Sequence, residues 1–244
     1  MDFNRIHSLL RKTVPWMLFT NRCPYCGRSM SMNKTLCEEC EQTLPIISGE
    51  HCKYCGAEKS RCNCKKHKRA FEAIVAPFYY ENSIKKSILN LKFNSEDFIA
   101  KTLAKDMAET VNKSYKDISF DFICYVPFTV SQGLNRIYNP SELLAYNLSE
   151  ELGIPVQRVM VKLFNTKPQH NMKYSERVGN VFGIYDVNDD VNLKGKTILL
   201  VDDVKTSGAT LNECASILKI RGAEKVYCVV SAVAGTKLQE DKKE

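Results

Sequence analysis

The sequence predicts an α/β fold, a parallel sheet flanked by helices, preceded by a small cysteine-rich module. The first observation is the apolar run 198–201, which is typical of a strand buried on both faces. The second is the helical spacing of apolar residues over 211–220, directly after a short polar loop. The third is the clustering of most of the eleven cysteines within 23–64. Strand, loop and helix in this order are the unit from which parallel sheets are built.

The loop after that strand has the residue types that bind a sugar phosphate. Asp202 and Asp203 follow the apolar run, where ligands bind in α/β folds, and they suit vicinal hydroxyls or a hard cation held through water. The N–H groups of 205–208 precede a helix and suit a phosphate, and Gly208 lets the backbone approach it. The alternative to a sugar-phosphate site is an ordinary turn whose two acidic side chains are solvated. This alternative is disfavoured because two carboxylates beside a buried strand are costly in free energy without partners.

Charge and cysteine usage divide the chain into two parts. The formal net charge is +7, and all of it lies in residues 1–70, because 71–244 carry equal numbers of acidic and basic side chains. No apolar run is long enough for a membrane span or a secretory signal core, so we expect a cytoplasmic protein. In a reducing compartment, paired cysteines indicate metal ligands rather than disulfides.

Four cysteine pairs predict structural Zn²⁺ sites in a double zinc ribbon. The first two pairs have CxxC spacing and suit one tetrahedral site, whereas the third CxxC pair and a CxC pair suit a second. His51 or His67 is an alternative ligand in the second site, and cross-pairing and the number of zinc ions, one or two, stay open. The predicted ligands are Cys23, Cys26, Cys37, Cys40, Cys52, Cys55, Cys62 and Cys64.

Basic residues around the second site predict a surface for phosphate backbones, single-stranded DNA among them. Bound thiolates would cancel part of this positive charge. Tyr25, Tyr54 and Trp16 are candidates for stacking on bases, against the alternative that they pack within the module. The basic residues are Lys53, Lys59, Arg61, Lys65, Lys66, Lys68 and Arg69.

The rest of the chain is expected to form the α/β domain. We expect a helical segment over 1–20, the ribbons over 21–68, the domain over 70–235 and a charged tail over 236–244. A helix over 82–93 should present Lys85, Lys86 and Lys92 to solvent. A buried strand over 121–127, followed by a loop and a helix to Leu152, should lie beside the Asp202 strand.

The segment 198–210 resembles the 5-phosphoribosyl 1-pyrophosphate (PRPP) loop of type I phosphoribosyltransferases. The resemblance implies that Asp202 and Asp203 contact the ribose hydroxyls and act in catalysis, that the loop holds the 5-phosphate, and that Mg²⁺ accompanies PRPP. Arg136 and the amides of the Val126-Pro127 turn are the expected donors to the pyrophosphate, against the alternative that Arg136 pairs with a surface acid. The implied PRPP-binding loop residues are Val204, Lys205, Thr206, Ser207, Gly208, Ala209 and Thr210.

The order of motifs along the whole chain resembles the ComF family, phosphoribosyltransferase-like proteins with an N-terminal double zinc ribbon that are linked to competence for DNA uptake. Residues Arg136 and Asn139 match the middle motif of that family. A further family pattern resembles Gln169, Arg177 and Asn180, in a long polar segment that we expect to act as a lid over the substrate.

Three functions follow from these features. The first is a pentosyltransferase that moves the phosphoribosyl group of PRPP to an unidentified acceptor. The sequence shows no obvious general base for a nucleobase acceptor, so transfer to a common purine or pyrimidine is not expected. The second is a non-catalytic zinc-ribbon adaptor that binds single-stranded DNA or competence and recombination proteins. The third is a PRPP-responsive regulator. Turnover of PRPP favours the first, whereas salt-dependent DNA affinity favours the second.

Overall fold

The computed structural model describes residues 21–31, 34–62, 64, 69–94, 97–128, 138–162 and 185–234. Its N-terminal part contains β1 (Asn21–Arg22), β2 (Ser29–Met30), α1 (Glu38–Thr43) and a 3-10 turn (Lys59–Arg61). The remaining elements are β3 (Ile74–Val75), β4 (Phe78–Tyr79), α2 (Asn82–Asn94), α3 (Asp97–Ser114), β5 (Phe122–Tyr125), α4 (Pro140–Leu152), β6 (Met160–Lys162), β7 (Tyr185–Val187), β8 (Thr197–Lys205), α5 (Ala209–Ile220) and β9 (Lys225–Val233).

The main sheet is parallel, as the sequence predicts. Its order is β3-β9-β8-β5, and β4 also pairs with β9. The central strands β8 and β9 place Leu200 opposite Cys228, and β5 pairs with β8 on the other side, with Tyr125 opposite Val201. The expected neighbourhood of the 121–127 strand and the Asp202 strand is therefore confirmed.

Helices cover both faces of this sheet, which explains the continuous apolar run in β8. Leu199 and Val201 pack on one face with α2, α3 and α4. Ile198 and Leu200 pack on the opposite face with α5. All four side chains are fully buried, so neither face of β8 has room for a polar residue until the strand nears its carboxyl end.

The strand β8 continues past the apolar run to Lys205, because β9 continues alongside to Val233. Asp202 and Asp203 lie toward the carboxyl end of this strand, as expected. Lys205 pairs with Val233 at the last position. The loop therefore consists of only Thr206, Ser207 and Gly208, and the expected series of free N–H groups does not begin at Lys205.

The cysteine-rich part packs against both faces of the sheet at its β3/β4 edge. Cys23 and Cys40 belong to the core beneath α2 and α3, whereas Cys52 and Cys55 belong to the core beneath α5. Backbone contacts tie this part to the edge, with the Ile47 N–H donating to the Pro77 carbonyl at 2.8 Å. The edge strands are thus covered rather than exposed to other chains.

The strands β6 and β7 form a separate antiparallel pair outside the main sheet, with Val161 opposite Asp186. Each helix in the described ranges is too short or too polar to cross a bilayer.

Candidate functional site

The turn from β8 into α5 forms the centre of the candidate site. Gly208 has a φ of 80°, a conformation that strains any residue with a Cβ atom. A Cβ atom at this position would also lie 3.2 Å from Lys205 Cε. The side chains of Thr206 and Ser207 are exposed, and Thr210 is partly exposed. Hydroxyl groups and a helix N-terminus thus meet at the carboxyl end of the central strand, where anions bind in this class of fold.

Asp202 is held in place by the start of α4. Ser141 Oγ donates to Asp202 Oδ1 at 2.8 Å, and the backbone N–H of Asp203 donates to the same oxygen at 2.9 Å. Asn139 caps α4 by accepting from the Ser141 N–H, and its Nδ2 donates to the Val126 carbonyl at 3.0 Å. These bonds connect the end of β5, through α4, to the carboxylate on β8.

Burial and the neighbouring charge of Asp203 raise the pKa of Asp202 to about 7. The hydrogen bonds from Ser141 and from the Asp203 N–H oppose this rise, because they stabilise the charged carboxylate. Among the described residues, no donor reaches Asp202 Oδ2. That oxygen is therefore available to a ligand hydroxyl.

Asp203 forms an ion pair with Lys92, whose Nζ lies 2.8 Å from Asp203 Oδ2. Both side chains are largely buried, at 18% exposed for Lys92 and 13% for Asp203. The expectation that Lys92 faces solvent is wrong. The signal was present in the sequence, because Lys92 continues the helical row of Ile84 and Ile88, which are both fully buried.

The Val126-Pro127 turn lies beside the site but has no N–H group to offer. The Val126 N–H donates to the Val201 carbonyl at 3.0 Å, because the turn continues the β5–β8 ladder. Proline has no N–H. The expected donation from these amides to a pyrophosphate is thus contradicted. Four other expected site residues, Arg136, Gln169, Arg177 and Asn180, lie outside the described residues.

The eight predicted cysteines form two separate clusters that fit zinc. Within each cluster the sulfur atoms lie within 4.8 Å of one another. Representative Sγ–Sγ distances are 3.6 Å for Cys26–Cys37 and 3.7 Å for Cys52–Cys64. A tetrahedral zinc with bonds of ~2.3 Å requires separations of about 3.8 Å. The groups are Cys23, Cys26, Cys37 and Cys40, and Cys52, Cys55, Cys62 and Cys64.

The pairing alternatives left open by the sequence are resolved by this geometry. Each cluster combines consecutive cysteine pairs, so there is no cross-pairing between them. His51 is not part of the second cluster, since its Nε2 lies 2.8 Å from the Ala76 carbonyl oxygen. The other alternative ligand, His67, lies outside the described residues.

The tyrosines of the ribbons pack inward. Tyr25 is only 7% exposed, its ring contacts Phe78 edge to face at 5.7 Å, and its hydroxyl donates to Asp106 Oδ2 at 2.7 Å. Tyr25 therefore cannot stack on a base. Tyr54 is partly buried against the core on the α5 side. The packing alternative describes Tyr25 correctly, and Trp16 lies outside the described residues.

Comparison with known proteins agrees with both parts of this architecture. Residues 137–244 match the family described as phosphoribosyl transferase domain, and residues 16–70 match the double zinc ribbon domain. Competence protein F of Haemophilus influenzae is 27% identical over 219 residues, which cover 85% of this chain and 95% of that protein. The chain therefore resembles ComF-type competence proteins along most of its length.

Other relatives show the same resemblance. DNA utilization protein YhgH of Escherichia coli is 26% identical over 213 residues, which cover 85% of this chain and 88% of that protein. Among solved structures, glutamine phosphoribosylpyrophosphate amidotransferase from B. subtilis matches with a TM-score of 0.40 and 22% identity, over 54% of this chain and 26% of that one. The phosphoribosyltransferase-like fold and the ribbon module expected from the sequence are confirmed.

Proposed function

We propose that this protein binds PRPP with Mg²⁺ at the carboxyl end of β8 and transfers its phosphoribosyl group to an acceptor in DNA uptake or processing. The observation that carries the proposal is the oriented pair Asp202 and Asp203, placed directly before the Gly208 turn. The names of the relatives, a competence protein and a DNA utilization protein, support the DNA role. Zinc binding by paired cysteines supports action in the cytoplasm, where thiols stay reduced.

In this proposal the two carboxylates position the ribose. Asp202 Oδ2 accepts from one ribose hydroxyl, while Ser141 fixes the carboxylate through Oδ1. Asp203 accepts from the neighbouring hydroxyl, while Lys92 fixes its orientation. The exposed hydroxyls of Thr206 and Ser207 and the first N–H groups of α5 hold the 5-phosphate. The C1 atom of the ribose is thereby held in one orientation while its bond to pyrophosphate breaks.

The carboxylates also fit the Mg²⁺ that PRPP requires. Carboxylate oxygens and water are the ligands that this ion prefers. Lys92 already pairs with Asp203, so Asp202 Oδ2 is the better candidate for a contact through water. When bound, Mg²⁺ neutralises charge on the departing pyrophosphate.

A pyrophosphate-release assay tests the transferase proposal. The zinc-loaded chain is incubated with PRPP, Mg²⁺ and separate acceptor sets of nucleobases, nucleosides and single-stranded DNA. We expect release with at least one set and its loss in Asp202→Asn. If none of the acceptor sets leads to pyrophosphate release although PRPP still binds, catalysis is contradicted and the PRPP-responsive regulator remains.

A second candidate is a non-catalytic adaptor that binds single-stranded DNA. The exposed cations Lys53 and Arg61 on the ribbon surface favour it, since cations on such a surface attract phosphates. Lys53 Nζ lies over the Tyr54 ring at 5.2 Å, and the Arg61 guanidinium lies over the Tyr79 ring at 4.7 Å. Measured oligonucleotide affinity should then fall steeply with salt and with Lys53→Gln, and flat salt dependence would exclude this role.

A further inference from the structure

The residue Arg69, between the second cysteine cluster and the sheet, lies next to the first turn of α5. The next residue fixes this position, because the Ala70 N–H donates to Asn212 Oδ1 at 2.9 Å. Asn212 is in the first turn of α5, and its own N–H donates to the Gly208 carbonyl at 3.0 Å. The sequence predicts that Arg69 belongs to an outer basic surface, but the fold anchors the adjacent Ala70 at the start of α5.

The guanidinium of Arg69 has an unsatisfied donor. Its Nε is buried, and within the described part of the chain no acceptor is within hydrogen-bonding distance. Buried donors on charged groups are rarely left unpaired in folded proteins, since the loss of water is then uncompensated. A bound anion would supply the acceptor that the protein does not.

A second, buried cation lies at the end of β8, directly before the loop. Lys205 is only 8% exposed, although lysine is almost never buried without a partner. None of the described carboxylates forms an ion pair with it, and its stem lies against Gly208. Burial first, and then the positive charge of Arg69, lower the pKa of Lys205, against the opposing effect of Cys55.

We propose that Arg69 and Lys205 bind the phosphate monoester held by the Thr206–Gly208 loop, so that the zinc-ribbon module forms one wall of the phosphate site. The proposal rests on the proposed function and extends it with side chains. A guanidinium suits this task because its donors match two oxygens of one phosphate. The hydrogen bond from the Ala70 N–H to Asn212 holds the neighbouring backbone in position.

Calorimetry on the zinc-loaded full chain tests the role of Arg69, with PRPP plus Mg²⁺ as one probe and inorganic phosphate alone as the other. Arg69→Gln removes the charge, and Arg69→Lys keeps the charge but loses the paired donors. Arg22→Gln is the matched control, since it removes the same charge from an exposed site in the same module. We expect Arg69→Gln to weaken PRPP binding by about tenfold or more, Arg69→Lys by less, and Arg22→Gln by under about twofold.

The two probes separate this proposal from the proposed function. If PRPP binds and Arg69→Gln matches the Arg22→Gln control, the role of Arg69 is overturned and the PRPP site stands. If PRPP fails to bind but inorganic phosphate binds in an Arg69-dependent way, the anion site stands and the PRPP function falls. If neither probe binds the intact chain, both are overturned. Zinc content and thermal unfolding verify that each variant is folded. If Arg69→Gln does not fold, the PRPP affinity of Arg69→Lys tests the proposal in its place.

Discussion

Lys92 Nζ lies 2.8 Å from Asp203 Oδ2 and ties α2 to the carboxylate pair on β8. Because both side chains are largely buried, removing the cation would leave a carboxylate with little water around it. We expect Lys92→Gln to lower the free energy of unfolding by about 1–3 kcal/mol, between the values for exposed and fully buried pairs. Urea denaturation measures this change.

Lys85→Gln is the control for that substitution, because Lys85 is exposed on the same helix. We expect it to change the unfolding free energy by less than about 0.5 kcal/mol. The double variant Lys92→Gln/Asp203→Asn should recover part of the lost stability, since it leaves no unpaired charge. An equal, small effect of both lysine substitutions would show that the ion pair does not stabilise the site.

Gly208→Ala should weaken PRPP binding through the backbone of the loop. Gly208 and Gly153 both have positive φ, at 80° and 68°, so alanine strains each by about 1–2 kcal/mol. Gly153 ends α4, and a Cβ atom there would meet nothing within 4 Å. We expect similar losses of stability from both substitutions but a loss of PRPP affinity from Gly208→Ala alone. Equal affinities in calorimetry would mean that the turn does not hold the phosphate.

Asp202 should make PRPP binding depend on pH. Burial and Asp203 raise its pKa to about 7, from 3.8 in the unfolded chain. Between about pH 4 and 7 the native state therefore binds more protons than the unfolded chain does. As a result, the contribution of Asp202 to the free energy of unfolding is present at low pH and is lost as the pH rises through 7. PRPP binding has the opposite sign, because a ribose hydroxyl needs the carboxylate as acceptor. Affinity should fall as the pH decreases from 8 to 6.

Ser141→Ala isolates this titration from that of the ligand. The variant removes a hydrogen bond that lowers the pKa of Asp202, so the midpoint of the affinity profile should move to higher pH. The phosphates of PRPP titrate identically with both proteins. Superimposable profiles for the two proteins would rule out Asp202 as the titrating group.

The two cysteine clusters should each hold one zinc ion, giving about two per chain by elemental analysis. We expect Cys40→Ser and Cys55→Ser to lower the content to about one, because each removes a ligand from a different cluster. Cys124→Ala is the control, since Cys124 is buried in the sheet and outside both clusters. A content of about one in the unmodified chain would contradict two independent sites.

The helices, strands and cysteine clusters that depend on local sequence pattern were predicted from the sequence. The β8 run, the α5 spacing and the consecutive cysteine pairs identify their elements because periodicity and ligand spacing are local properties. Ser141 and Lys92 were missed as site residues because their partners are distant in the chain and are brought close only by folding. Arg69 was missed because Asn212, which fixes the adjacent Ala70, is equally distant. Lys92 could have been found by extending the Ile84 and Ile88 row by one more turn.

The central claim is that the carboxylate pair on β8 binds PRPP, and calorimetric titration with PRPP and Mg²⁺ tests it most directly. The intact zinc-loaded chain is compared with Asp202→Asn/Asp203→Asn, after thermal unfolding shows that both are folded. We expect saturable binding of one PRPP per chain that the double substitution abolishes. Failure of the intact chain to bind, or equal binding by the folded double variant, would contradict the account.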